Sequence, residues 1–306
     1  MHRAPFVTIG ERYRQRFGER VQKIPVTVAG DCPNRRGLKG MQTCIFCDEW
    51  GSAAYPELRS LDLKTQIHTK KRTLGWRYAC KKFLIYFQAY TSSFISVRRL
   101  REHFEAALQI PEVAGLILGT RPDCVPPALL DLLREFQERT FVSVELGVQT
   151  FNEEQLLFLR RGHTGQAAMD CIGKIKSAGE IDLGIHLIFG LPGETPADIL
   201  AEARTVSSLP IDHVKLHNLH VLKNTPLAEL YAQGKFEPLD LPAYAERVAL
   251  FLENIPRRIA VQRLAAVSSR WEELVAPEWT RYKMRSNQFI HDQMARAGRV
   301  QGAALA

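Results

Sequence analysis

Short apolar runs alternate with helical patterns from residue 24 to about residue 222. The runs at 26–29, 83–87, 115–118, 142–147, 184–189 and 213–219 are rich in Val, Ile, Leu and Phe, as parallel strands covered on both faces are. The stretches between them carry helix signals. Apolar residues recur at helical spacing over 98–108, and again over 127–136 after a Pro–Pro start. Asn152 and Gln155 resemble a capping box ahead of an apolar run, and 167–178 stops at Gly179. A further helical stretch, 196–206, follows the fifth run.

Units of strand then helix, repeated in sequence, predict a parallel sheet with right-handed crossovers. The pattern does not give strand order, so an open doubly wound sheet is one solution. A partial (βα)6 barrel of the TIM type is preferred, because polar residues and glycines recur just after nearly every apolar run. Barrel enzymes build their sites on that face. Eight strands are not visible. After residue 240 the pattern changes: 241–253 reads as helix, 259–267 as strand and 287–297 as helix. The expected organisation is a partial barrel over 1–240, led by a basic arm, and a small α+β extension over 241–306. That extension would serve as a lid or substrate module.

Composition narrows the setting. The chain has 306 residues, 45% of them hydrophobic, enough for one large core. No run approaches the roughly 18 apolar residues of a membrane span, and the first residues lack an apolar signal core. A cytoplasmic protein with free thiols and no disulfide is expected. The net charge of +8 favours a polyanionic partner. Basic residues cluster before the first strand (Arg12, Arg14, Arg16, Arg20, Lys23), before the second (Lys70, Lys71, Arg72, Arg77, Lys81, Lys82) and near the C-terminus (Arg257, Arg258, Arg281, Lys283, Arg285).

Cys32, Cys44 and Cys47 lie in one Gly-, Arg- and Lys-rich loop after the first apolar run. Three thiolates can hold three irons of a cubane cluster and leave the fourth iron open for a ligand, whereas electron-transfer clusters normally use four cysteines. Cys44-x-x-Cys47 is equally a zinc half-site, but a structural zinc would need Cys32 and a fourth ligand, and the next histidine is His68. Cys80, Cys124 and Cys171 are isolated.

The cysteine run, together with FQAYTSSF, GTRPDCVP, ELGVQT, RRGHT, HLIFGLPGE and VKLHNLHVLKNTPLAELY, resembles the radical SAM superfamily. More narrowly it resembles the YhcC/YtqA-type radical SAM proteins and the radical SAM domain of the Elongator catalytic subunit. The likeness covers about residues 25–235. One departure stands out: the common loop is C-x3-C-x2-C, and here the first gap is eleven residues. That long gap fits the narrower families. The chain ends near residue 306 without the Elongator acetyltransferase domain, so acetyl-CoA chemistry is not implied.

The resemblance implies a [4Fe–4S] cluster on Cys32, Cys44 and Cys47, with S-adenosylmethionine chelated to the open iron. It implies cleavage to a 5′-deoxyadenosyl radical that abstracts hydrogen from substrate, and a reducing electron donor of flavodoxin or ferredoxin type. It assigns Phe46 to the adenine, and Gln88, Tyr90 and Thr91 to the end of the strand where the amino group binds. Glu145 and Gln149 share one side of a strand and point into the barrel mouth. Glu145 then needs an ammonium, a ribose hydroxyl or an arginine, with Arg160 or Arg161 as structural alternatives. His186 faces inward between Ile185 and Leu187; Gly190 allows backbone to approach the adenine; Arg161 contacts cofactor or substrate. Arg121 is a candidate for a carboxylate or phosphate, and Lys215, His217 and His220 are further substrate candidates. No residue is singled out as catalytic. The substrate implied is tRNA, at the side chain of a wobble uridine. A small metabolite or protein side chain is the alternative within the family, and a non-catalytic metal-binding protein the alternative outside it.

Overall fold

A computed structural model describes residues 5–51, 53–268 and 270–305. Six parallel strands follow the expected rhythm: β1 (Val21–Val26), β2 (Lys82–Phe87), β3 (Val113–Thr120), β4 (Phe141–Gln149), β5 (Asp182–Phe189) and β6 (His213–Asn218). A short β7 (Val221–Leu222) leaves the sheet, and β8 (Ala260–Arg263) returns to pair in parallel with β6. The sheet therefore has seven strands in the order β1-β2-β3-β4-β5-β6-β8, one more than the six expected. The added strand comes from the predicted extension. A three-residue β9 (Leu274–Ala276) pairs antiparallel with β7.

The sheet is curled. Lys23 on one edge strand and Gln262 on the other both reach Glu145 on the central strand, at 2.5 and 2.8 Å. A flat seven-stranded sheet would hold those edges far apart, because neighbouring strands lie about 4.8 Å from each other. The fold is a partial TIM-type barrel.

The first strand lies earlier than expected, at Val21–Val26 and not at 26–29. Its Pro25 reads as a strand breaker, but β1 is an edge strand, where a missing N–H leaves no ladder bond unmade. The helices are α1 (Ile9–Phe17), α2 (Leu63–Tyr78), α3 (Val97–Leu108), α4 (Pro127–Gln137), α5 (Glu153–Phe158), α6 (Gly165–Ala178), α7 (Pro196–Ser208), α8 (Pro226–Ala232), α9 (Leu241–Glu253) and α10 (Lys283–Arg296). Their apolar stripes cover the outer face of the sheet, where Val144, Leu146, Ile185, Leu187, Val214 and Leu216 form one continuous core with Phe104, Phe136, Ile172 and Val248.

The basic arm proves to be a helix. Thr8 and Glu11 close a capping box at the start of α1. Buried Tyr13 packs edge-on against Phe141, with ring centroids 5.7 Å apart, and Thr8 bridges to Val261 beside β8. Arg12 donates to the carbonyls of Asp212 and Arg258, and Arg16 lies over the Phe141 ring. Together with Leu84, Tyr86 and Ile117, Tyr13 plugs the bottom of the barrel. Part of the N-terminal positive charge is thus spent on the fold. No helix among the described residues is long and apolar enough to cross a membrane.

Candidate active site at the carboxyl ends of the strands

The cysteine loop leaves β1 and is tied down by polar knots. Asn34 donates through Nδ2 to the carbonyls of Gln42 and Arg160, each at 2.6 Å, so one side chain joins both arms of the loop to the segment after α5. Arg121 donates to Asn34 Oδ1 and grips Asp123 with Nε and NH2 at 2.8 and 2.7 Å. Gly162 passes so close that an added Cβ would stand 2.2 Å from Met41 Sδ and 2.6 Å from the Arg121 guanidinium. Cys32 and Cys44 are buried, Cys47 is half-buried, and all six cysteines of the chain are free thiols. Burial and then the neighbouring Cys44 push the Cys47 thiol up to about 12.

Cys32, Cys44 and Cys47 line a cavity of about 410 Å³. Phe46, Gln88, Tyr90, Thr91, Arg121, Glu145, Gln149, Arg161, His186, Lys215, His217 and His220 line it too. Gly190 does not. Its amide donates to Glu194 at 3.0 Å, and its Cα faces Leu239, where a Cβ would stand 3.1 Å from the side chain. Three residues at the rim, Ala89, Tyr90 and Gln149, have left-handed backbones with φ of 77°, 53° and 76°. Such conformations cost non-glycine residues energy and gather at functional sites. Tyr90 is fixed there by its hydroxyl, which donates to the Glu49 carbonyl at 2.8 Å.

Glu145 is fully buried and accepts four hydrogen bonds, from Lys23 (2.5 Å), His186 (2.8 Å), Gln262 (2.8 Å) and Lys215 (3.1 Å). Against the opposing effect of burial, Lys215 and Lys23 hold its carboxyl well below the usual range. The partners are neither Arg160 nor Arg161, and the carboxylate is already saturated by the protein. Burial, opposed by Glu145, lowers Lys215 to about 8. Burial and then Lys215 bring His186 down to about 3, so its ring is neutral and its Nε2 carries the proton toward Glu145. His217 lies 5.3 Å from His186, ring to ring. Burial and then Arg263 hold it well below the ordinary histidine range. Burial also lowers His220 to about 4, and its Nδ1 sits 3.3 Å from the Asn218 carbonyl.

Arg121, the expected anion binder, is occupied by protein groups, and Arg161, the expected cofactor or substrate contact, is partly so, with its Nε left without a partner. Arg121 spends its guanidinium on Asp123 and Asn34. Arg161 donates to Cys44 Sγ at 3.2 Å and to the Gly147 carbonyl at 2.8 Å. The sequence reading missed Lys23, Tyr86, Gln262, Arg263 and Arg270. The last three come from the segment after residue 240, whose loop beyond β8 lines the cavity through Ala266, Val267, Ser268 and Arg270. Arg270 reaches Asp48, beside Cys47, at 3.0 Å.

The residues fit an iron–sulfur cluster better than a single ion. Among the described residues no three His, Cys, Asp or Glu groups converge tightly enough to hold one metal ion. Zinc would draw its sulfurs to about 2.3 Å from one centre, whereas a cubane spreads its cysteines over separate irons. Polar atoms also wait on the cavity wall. Thr91 Oγ1 and both side-chain amide atoms of Asn218 are buried without a hydrogen-bond partner. Buried polar groups are normally satisfied, so orphans here fit a polar ligand.

Comparison with known proteins agrees with this geometry. A family profile described as the radical SAM superfamily matches residues 28–206, and one described as the Radical_SAM C-terminal domain matches residues 211–296. The chain is 35% identical to YtqA of Bacillus subtilis, covering 96% of this chain and 91% of that one. It is 32% identical to YhcC of Escherichia coli K12, covering 95% and 92%. A tRNA uridine(34) acetyltransferase of Methanocaldococcus jannaschii is 28% identical over 52% of this chain and 30% of its own length. In fold the chain is similar to the archaeal Elp3 of Methanocaldococcus infernus, with a TM-score of 0.70 at 16% identity, covering 92% of this chain and 64% of that one.

Proposed function

The chain belongs to the radical SAM superfamily, whose cofactors are a [4Fe–4S] cluster and S-adenosylmethionine, and from that premise we propose that it modifies tRNA at the side chain of a wobble uridine. The observation that carries the enzymatic part is that Cys32, Cys44 and Cys47 share one cavity with polar residues from the carboxyl ends of the strands. The tRNA part is supported by the similarity to a tRNA uridine(34) acetyltransferase and by the net charge of +8. Transferase and oxidoreductase outcomes both fit, with a flavodoxin- or ferredoxin-type electron donor.

In this reading Cys32, Cys44 and Cys47 hold the cluster, and Phe46, Gln88, Tyr90, Thr91 and Gln149 surround S-adenosylmethionine. When bound, that pair supplies the one-electron chemistry that removes a hydrogen atom from substrate. The chain's own residues do the rest. Arg161 donates to the Cys44 sulfur and steadies negative charge on it. The saturated Glu145 network fixes the floor, so that Lys215 and His186 keep their positions when substrate enters. The wall after β8 excludes water.

The test is 5′-deoxyadenosine formation by anaerobically reconstituted protein with S-adenosylmethionine and reductant, with and without bulk tRNA. Strong stimulation by tRNA is expected, as is RNA binding that weakens steeply with salt. Production that ignores tRNA would sink the RNA substrate and keep the enzyme. Cys44→Ala should lose cluster iron and all product.

A further inference from the structure

The cavity floor carries more positive charge than the protein answers. Lys23 and Lys215 both direct their ammonium groups at Glu145. Arg263, one strand further round, has no carboxylate within ion-pair distance among the described residues. Its one hydrogen-bonding neighbour is the His217 ring, whose Nδ1 and Nε2 lie 2.7 and 2.9 Å from NH2. Its Nε is buried with no partner at all. Burial pulls the guanidinium below its ordinary range, and Glu145, already shared by Lys23 and Lys215, opposes that pull only in part.

Arg263 is half-buried on the cavity wall with its Nε fully buried, and a guanidinium so placed without a counter-charge is costly unless an incoming anion offsets the cost. The neutral His217 ring orients the fork without cancelling it. Lys215 lies on the same floor, 3.2 Å from the Tyr86 hydroxyl. A guanidinium presents a planar fork of donors that matches carboxylate and phosphate oxygens. We infer that Arg263, backed by His217, seats an oxyanion of the substrate, a carboxylate or a phosphate, at the floor of the cavity. This assignment rests on the proposal that the reaction takes place in this cavity. It gives the strand after residue 240 a role in substrate choice.

The probes are sodium phosphate, uridine 5′-monophosphate and sodium malonate, titrated calorimetrically at constant ionic strength into cluster-loaded protein saturated with S-adenosylmethionine. Wild type should bind at least one of them. Arg263→Gln should weaken that binding by roughly tenfold or more, the scale of a lost charge-assisted hydrogen bond. Arg263→Lys, which keeps the charge and loses the fork, should fall between the two. Binding of S-adenosylmethionine, read from the change it causes in the cluster's paramagnetic resonance signal, should be the same in all three proteins. A preference for phosphate or the nucleotide would point to an RNA source of the oxyanion, and a preference for malonate to a carboxylate metabolite.

Equal binding in wild type and both variants would overturn the assignment, as would no binding of any probe. Loss of S-adenosylmethionine binding in Arg263→Gln would overturn it in another way, by making Arg263 a cofactor residue. If the glutamine variant fails to fold, the lysine variant decides on the same criteria. Protein that binds anions through Arg263 yet makes no 5′-deoxyadenosine would uphold the seat while refuting the radical chemistry.

Discussion

The two faces of the central strands obey different rules. On β4, Val144 and Leu146 point out into the helix layer, while Glu145 between them points in. On β5, Ile185 and Leu187 flank inward His186; on β6, Val214 and Leu216 flank inward Lys215. Outward residues are apolar and interchangeable in kind, and their worth is set by area and fit. Each of these three inward residues is held by a named partner on another strand, because charge inside a barrel is costly unless it is paired. The outer face makes the sheet stable. The inner face gives the curl a fixed electrostatic arrangement.

The sharpest way to break that contrast is Glu145→Gln. It leaves Lys23 and Lys215 facing each other without their shared carboxylate. A loss of about 3–5 kcal/mol is expected in chemical denaturation, the usual cost of stripping one partner from a buried ion pair. A neutral outcome would show that the inner face is no more demanding than the outer one. Ile185→Ala, one residue from His186 in sequence and on the opposite face, should cost about 2–5 kcal/mol by leaving a cavity. It should leave the geometry of the Glu145 cluster unchanged, so that anion binding at the floor is preserved.

The outer layer holds an exception that sharpens the comparison. Glu202 on α7 is buried. Its Oε2 accepts from the Phe151 amide at 3.2 Å, its Oε1 has no partner, and burial raises its carboxyl to about 7. Its folded value lies above the ordinary carboxylate value. The folded state therefore holds the proton through the window from about 4.5 to 7, and stability falls as pH rises across it. Glu202→Gln should stabilise the protein at pH 8 by up to about 3 kcal/mol, and that gain should vanish near pH 4.5. A gain independent of pH would mean that the carboxylate carries no penalty. The smallest effect is expected at Asn34→Ala, about 1–3 kcal/mol for unsatisfied buried carbonyls. Hydrogen exchange should locate the loosening in the cysteine loop and spare the sheet.

This division also explains what the sequence made legible. The outer face speaks through apolar runs, so β2 to β6 and α3 to α7 could be placed from pattern alone. The cysteine loop could be recognised from its motif. Lys23 and Arg263 could not, because the local signal of a strand does not show what its side chains will face across a curled sheet. Pro25 shifts the expected β1 by several residues, and the strand signal over 259–267 carries no sign that β8 pairs with β6. The charge of α1 hid its capping box: Thr8 and Glu11 were in plain view, among arginines that read as a solvated arm. The inward assignment of His186 needed only alternation. The partners of Glu145 needed the curl of the whole sheet, which no local pattern contains.

The contact between Arg270 and Asp48 joins positions 222 residues apart. During synthesis at roughly 5–20 residues per second, the cysteine loop would emerge some ten to forty seconds before the wall that covers it. Through that interval the thiols stand open to solvent and oxygen on the nascent chain. The order of synthesis thus separates the loop from its cover: the cysteines are made first, and the segment that shields them can dock only after the whole sheet between has been made.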